Sequence, residues 1–191
     1  MPPPDKHTTD AEIAAYTIGE LKRHDAPIEL AEYDTEWPTL FRREAARVRA
    51  ALGGSIVQLE HVGSTSVPGL TAKPLIDIVL VVEDSSNEPT YLPALEQQGY
   101  SLRIRDPDWY RHRVLKGPDT NINLHVFSVG CVEVDRMLAF RDWLRSHVDD
   151  RLLYEQTKRE LASRTWRHVQ NYADAKTKVV QEILDRALRR P

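Results

Sequence analysis

Glu60-His61-Val62-Gly63-Ser64-Thr65-Ser66-Val67-Pro68-Gly69-Leu70-Thr71-Ala72-Lys73-Pro74-Leu75-Ile76-Asp77-Ile78-Val79 is the stretch that decides the architecture. It has the form of a strand, a turn of small residues and a second strand. Residues 75–82 form a nearly continuous β-branched series, the pattern of a strand covered on both faces. Asp77 interrupts that series. A carboxylate buried there without a partner costs on the order of several kcal/mol. It is therefore either paired structurally, with Lys73 or an arginine, or it serves a site. Gly63 lets the backbone approach a ligand, and Ser64, Thr65 and Ser66 set hydroxyls beside exposed N–H groups. Such a turn can hold phosphate oxygens. Most Gly-Ser turns only reverse the chain, so Asp77 is what makes this one a candidate site.

Outward from this stretch, the chain alternates helix and strand signals. Residues 1 to about 8 are Pro-rich and expected to be loose. Thr9-x-x-Glu12 has the form of a capping box and starts a helix expected to reach about Arg23. A stronger helix carries Trp37, Leu40, Phe41, Ala45, Val48 and Leu52 at helical spacing and is closed by Gly53-Gly54. Residues 55–62 are the first strand. A helix over 89–98 precedes three extended segments, 100–105, 110–115 and 121–129. Helices are then expected over 134–147, 150–163 and 168–188. The fold class is α/β: a mixed sheet of about five strands flanked by helices, with a helical C-terminal third. Residues 1–28 form an N-terminal extension with one helix, and 29–191 form the main domain.

Composition narrows the function classes. With 26 Lys and Arg against 29 Asp and Glu, the formal net charge is −3, which gives no global attraction to nucleic acid. No apolar run approaches the ~20 residues of a membrane span, and the first residues lack the apolar core of a secretory leader. A cytoplasmic location is expected. The single cysteine, Cys131, excludes an internal disulfide framework and a Cys-rich zinc site. Locally, Arg103, Arg105, Arg111, Arg113 and Lys116 gather against Asp106 and Asp108. Arg111 and Arg113 alternate with Tyr110 and His112, so in a strand they share one face, either suited to an anion or simply solvated. Lys73, before Pro74, either reaches a phosphate or is a solvated strand-entry residue. His125, in the apolar run Leu124-His125-Val126-Phe127, is either a hydrogen-bonded core residue or faces Asp77 as metal ligand or general base.

Residues 60–79 resemble the signature of the GrpB family, whose fold is of nucleotidyltransferase type. Tyr33-Asp34-Thr35-Glu36-Trp37-Pro38 with Phe41 is similar to that family's opening block. Asn123-Leu124-His125-Val126-Phe127, Phe140-Arg141-Asp142-Trp143-Leu144-Arg145 and Tyr172-x-x-x-Lys176 resemble its later blocks. The resemblance implies a nucleotidyltransferase-like sheet of the DNA polymerase beta-like superfamily, in which a Gly-Ser turn precedes a strand bearing Asp-x-Asp/Glu. A third carboxylate usually comes from a neighbouring strand. Here the second position is Val79, and the third falls near Asn123 or His125.

Two-metal chemistry needs several hard oxygen ligands, and this set departs from it. The implied site nonetheless has defined parts. Asp77 and His125 are the catalytic residues and the candidate ligands of a divalent cation, Mg²⁺ or Mn²⁺ and less readily Zn²⁺. Gly63, Ser64, Thr65, Ser66, Lys73, Arg111 and Arg113 are the phosphate contacts. The expected ligand is a nucleotide or another phosphorylated small molecule, with nucleotidyl or phosphoryl transfer as the reaction. The alternative is a catalytically inactive domain acting as a binding or regulatory module. Fusion of GrpB-like domains to dephospho-coenzyme A kinase in some bacteria implies a link to coenzyme A biosynthesis. No membrane or nucleic-acid partner is expected.

Overall fold

The computed structural model describes residues 8–189. Its centre is a five-stranded sheet of β1 (Gln58–Val62), β2 (Ile76–Val82), β3 (Ser101–Asp106), β4 (His112–Lys116) and β5 (Ile122–Ser128). The order across the sheet is β1-β2-β5-β4-β3. β2 and β5 are parallel and every other neighbouring pair is antiparallel. This is the mixed sheet that the strand–turn–strand stretch foreshadowed.

The helices are α1 (Asp10–Tyr16), α2 (Trp37–Leu52), α3 (Leu92–Gln97), α4 (Val132–Ser146), α5 (Val148–Ala162), α6 (Val169–Ala175) and α7 (Thr177–Leu188). Pro38 sits in the first turn of α2, where its missing N–H does no harm. Gly53, at φ 51°, ends that helix. The face of α2 that carries Trp37, Ala45, Val48 and Leu52 covers Ile76, Ile78, Leu80, Leu124 and Val126, with Leu95 of α3 beside it. On the opposite face Val62, Val79, Val81 and Phe127 pack under Val134, Met137 and Leu138 of α4. β2 is thus buried on both sides, which is why its sequence does not alternate.

Two helical expectations change. The capping box is present, Thr9 Oγ1 accepting from Glu12 N–H and Glu12 accepting from Thr9 N–H. The helix it starts, however, stops at Tyr16. The following residues join the free edge of β3, with Thr17 bridged to Ile104 and Ile18 N–H donating to Arg103 O at 2.8 Å. An open sheet edge competes for those backbone groups. The helix expected over 168–188 is two, α6 and α7, with a turn at Lys176 whose N–H bonds Ala173 O. Each half serves a different core: Tyr172 packs with Ile28 and Leu161, whereas Val179 and Ile183 pack with Val67, Leu70 and Leu144. The Pro-rich stretch 1–7 lies outside the described residues.

Candidate functional site

Asp77, Asn123 and Lys116 occupy one row across β2, β5 and β4, since Asp77 is in register with Asn123 and Asn123 with Lys116. Paired residues in a sheet point to the same face, and these three are linked in line. Asn123 Nδ2 donates to Asp77 Oδ1 at 2.9 Å, and Lys116 Nζ donates to Asn123 Oδ1 at 2.6 Å. His125 Nε2 lies 3.4 Å from the same Asp77 oxygen. The Asp77 side chain remains 26% exposed, so the cluster opens to solvent rather than lying within the core. Desolvation pushes the Asp77 carboxyl up, but His125, Asn123 and Lys116 outweigh it and hold it below the usual carboxylate range.

His125 is itself backed by His112. Their rings are stacked 5.2 Å apart, and His112 Nε2 lies 3.0 Å from His125 Nδ1. Burial, His125 and Arg113 drive the His112 pKa far below normal, so this ring is neutral near pH 7. With His125 Nε2–H directed at Asp77, its Nδ1 is the acceptor and His112 donates. Asp77, His125 and His112 then form a continuous chain leading from the opening to the edge of Trp109.

The Gly63 turn closes over the same carboxylate. Gly63 has φ 69°, and a Cβ there would come 2.5 Å from Asp77 Oδ2, so glycine is required twice over. The hydroxyls behind it divide by role. Thr65 Oγ1 donates to Leu75 O and faces His61 Nε2 at 3.1 Å, and Ser66 Oγ donates to Gly63 O at 2.6 Å. Both are buried and hold the turn in shape. Ser64 is half-buried and its hydroxyl has no such bond among the described residues. α4 clamps the turn from outside: Arg145 Nη2 donates to Ser66 O at 2.8 Å, and Arg141 Nη1 to Glu60 Oε2 at 2.8 Å. A cavity of about 350 Å³ beyond β1 includes Tyr33, Phe41 and Arg42 with these paired arginines.

The surroundings of Asp77 are rich in cations. Burial lowers the Lys73 and Lys116 pKa values, and the charge of Asp77 raises both. Lys176 acts on Lys73, and Lys73 and Arg103 act on Lys116, each as a like charge. Lys176 Nζ stands 4.4 Å from the centre of the Tyr172 ring. Among the described residues, Lys73, Arg103 and Lys176 form no ion pair with a carboxylate.

Arg111 and Arg113 do not join this cluster, contrary to the alternation expected of residues 110–115. β4 begins only at His112, because Tyr110 and Arg111 have left-handed backbones at φ 55° and 51°. Two such residues break the period-2 rule on which a shared face depends. Arg113 pairs with Val126, on the α2 side of the sheet, where its Nε bonds Glu88 Oε1 at 2.7 Å. Arg111 is exposed, 3.7 Å from Asp84. In their place the structure supplies His112, Lys116, Asn123 and Lys176. His112 and Lys116 carried a usable signal, since residues 112, 114 and 116 of one strand share a face, but the strand expected over 110–115 stops short of Lys116.

The sequence model of the GrpB protein family matches residues 27–186. The chain belongs to the GrpB family. Among its relatives, a UPF0157 protein of Halalkalibacterium halodurans is 63% identical over 179 residues, 94% of this chain and 92% of that protein. The crystal structure of the conserved protein GrpB from Enterococcus faecalis superposes with a TM-score of 0.74 at 30% identity, over 84% of this chain and 98% of that one. A dephospho-CoA kinase of Mycolicibacterium paratuberculosis is 27% identical over 199 residues, 91% of this chain but only 49% of the kinase. The GrpB blocks now have physical roles: Asn123 and His125 contact Asp77, and Arg141 and Arg145 clamp the turn.

A pair of divalent cations does not fit the GrpB site seen here. Val79 is fully buried among apolar residues. The Asn123 amide is occupied at both ends, by Asp77 and Lys116. Among the described residues no group of three or more His, Cys, Asp and Glu is placed to hold an ion. Among the same residues no helix is long and apolar enough to cross a membrane.

Proposed function

We propose that this chain binds a nucleotide or another phosphorylated small molecule in the cleft bounded by the Gly63 turn, Asp77, Asn123 and His125. The observation that carries this reading is the approach of Gly63 to Asp77 within 2.5 Å of a would-be Cβ, with Lys73 and Lys116 beside them and only one carboxylate acting on both. A phosphate would meet Ser64 and the lysines, while Asp77 orients an acceptor group. In a transfer reaction the acceptor oxygen bonds to phosphorus as the bond to the leaving phosphate breaks. Asp77 would take up the acceptor's proton, with His125 holding its Oδ1. The match with a protein named dephospho-CoA kinase makes coenzyme A biosynthesis the metabolic setting to test first.

Thermal melting with ATP, GTP, CTP and UTP, each with and without Mg²⁺ or Mn²⁺, tests the binding. A shift of several degrees with at least one nucleotide is expected, and no shift with any of them overturns the reading. The apolar Val79, at 0% exposure, favours a second reading, a binding module without catalysis. Turnover of a bound nucleotide that disappears in a folded Asp77→Asn variant would exclude the module.

A further inference from the structure

Charge balance around Asp77 leads beyond simple phosphate binding. Lys176 acts on Lys73, and Lys73 and Arg103 act on Lys116, as like charges, while Asp77 is the one carboxylate among the described residues acting on both Lys73 and Lys116. Lys116 is anchored through the amide oxygen of Asn123, which points its ammonium along the row toward Asp77. Lys73 stands four residues before Asp77, at the entry to β2, and Lys176 stands at the turn between α6 and α7, over the Tyr172 ring. The cations thus come from separate elements, and Lys73 and Lys116 both lie within the influence of Asp77. Half-buried like charges repel, and at the reduced dielectric of a cleft that repulsion is several times stronger than in water. By contrast, Arg113 is paired with Glu88 and Arg141 with Glu60.

A divalent cation at Asp77 would add two positive charges to a group already in excess of positive charge. An anion relieves the excess. The cations rise from β4, from the entry to β2 and from the turn between α6 and α7, and strands two apart are separated by roughly 10 Å at the backbone. A chain of linked phosphates can meet more of these cations than a single phosphate can.

We propose that the lysine ammoniums of this cleft take the place of metal ions, so that the site binds a linear di- or triphosphate chain without a divalent cation. This rests on the phosphate-binding reading above and deepens it. The chain can be an inorganic polyphosphate or the tail of a nucleotide. Lys116 and Lys73 neutralise its negative charge, and Asn123 holds Lys116 in position while holding Asp77 back from it.

The test is calorimetric titration of the full chain, stripped of metal on a chelating resin. The titrants are orthophosphate, pyrophosphate, inorganic triphosphate and ATP, each repeated with Mg²⁺, Mn²⁺ or Zn²⁺. Affinity should rise by about tenfold for each added phosphate, the step expected for roughly one further charge-assisted contact. Divalent cations should weaken binding, because they compete for the phosphate chain. Lys73→Met and Lys116→Met should each weaken triphosphate binding by about tenfold, with unliganded melting temperatures showing that the variants fold. Asp77→Asn, which removes the one negative charge, should bind triphosphate as tightly as the parent or more tightly.

Inorganic triphosphate binding as tightly as ATP assigns recognition to the phosphate chain, and tighter ATP binding adds a nucleoside pocket. Binding that requires a metal, or that is lost in Asp77→Asn, overturns metal independence and leaves the phosphate-binding reading standing. Folded lysine variants with unchanged affinity also overturn it. Absence of binding by every compound, with and without metal, overturns both.

Discussion

The two faces of the sheet carry two charge clusters built from the same ingredients and arranged in opposite ways. On the α2 side, Glu88 is gripped by Arg105 through Nε and Nη2 at 2.7 and 2.6 Å and by Arg113 at 2.7 Å. On the other side, Asp77 holds an amide and a histidine, and among the described residues the lysines around it form no ion pair with a carboxylate. Arg105 and then Arg113 keep Glu88 below the usual carboxylate range despite partial burial. The first cluster is complete without a ligand and the second is not. Saturated ion pairs fix a fold, whereas unbalanced charge near a solvent-open carboxylate is the feature on which the proposed binding rests.

Breaking the closed cluster should have the largest effect. Glu88→Gln leaves Arg113, only 5% exposed, without its counter-charge. A loss of about 3–5 kcal/mol is expected in urea unfolding, with anion binding at Asp77 intact in the folded fraction. A loss below about 1 kcal/mol would mean that the pair is not structural.

Next is the histidine behind the open cluster. Burial lowers the His61 pKa from 6.5 to about 4, and the ring stacks on Phe41. The unfolded chain therefore binds a proton that the folded chain refuses between those two values. Stability is full above pH 6.5 and falls as pH drops toward 4, by about 3 kcal/mol from this group. His61→Gln keeps a donor toward Thr65 and should flatten that acid limb. Stability curves that stay parallel from pH 7 to 4 would contradict it.

Gly63→Ala sharpens the contrast from the turn side. The added methyl meets Asp77 Oδ2 in a left-handed backbone, so a loss of about 1–3 kcal/mol is expected together with weakened ligand binding. An alanine variant of parental stability and affinity would show that the close approach has no role. The smallest effect belongs to Arg111→Gln. Its partner Asp84 is 3.7 Å away and both are exposed, so stability should move by less than about 0.5 kcal/mol and phosphate affinity should not change. A clear loss of affinity would return Arg111 to the site.

How much of this was legible beforehand depended on how local each feature is. The Gly63 turn, the lone acid in β2 and the pairing of Asp77 with His125 could be anticipated, because a carboxylate and a histidine in apolar strands must each find a partner. The capping box at Thr9 was legible too. What failed was the strand start near Tyr110, where two non-glycine residues adopt left-handed backbone, and the helix over 168–188, whose apolar positions serve two cores.

The sequence by itself determined the mixed sheet, the family and the lone acid in β2, since periodicity, turn residues and a misplaced carboxylate act over a few neighbours. Only the tertiary structure decided which charges meet. Register across three strands set Lys116 and Asn123 in line with Asp77, and the same register put Arg113 opposite Val126 and so toward Glu88 instead. Which face a strand residue occupies reverses with a shift of one position, and no local signal in β4 reports the register it takes against β5.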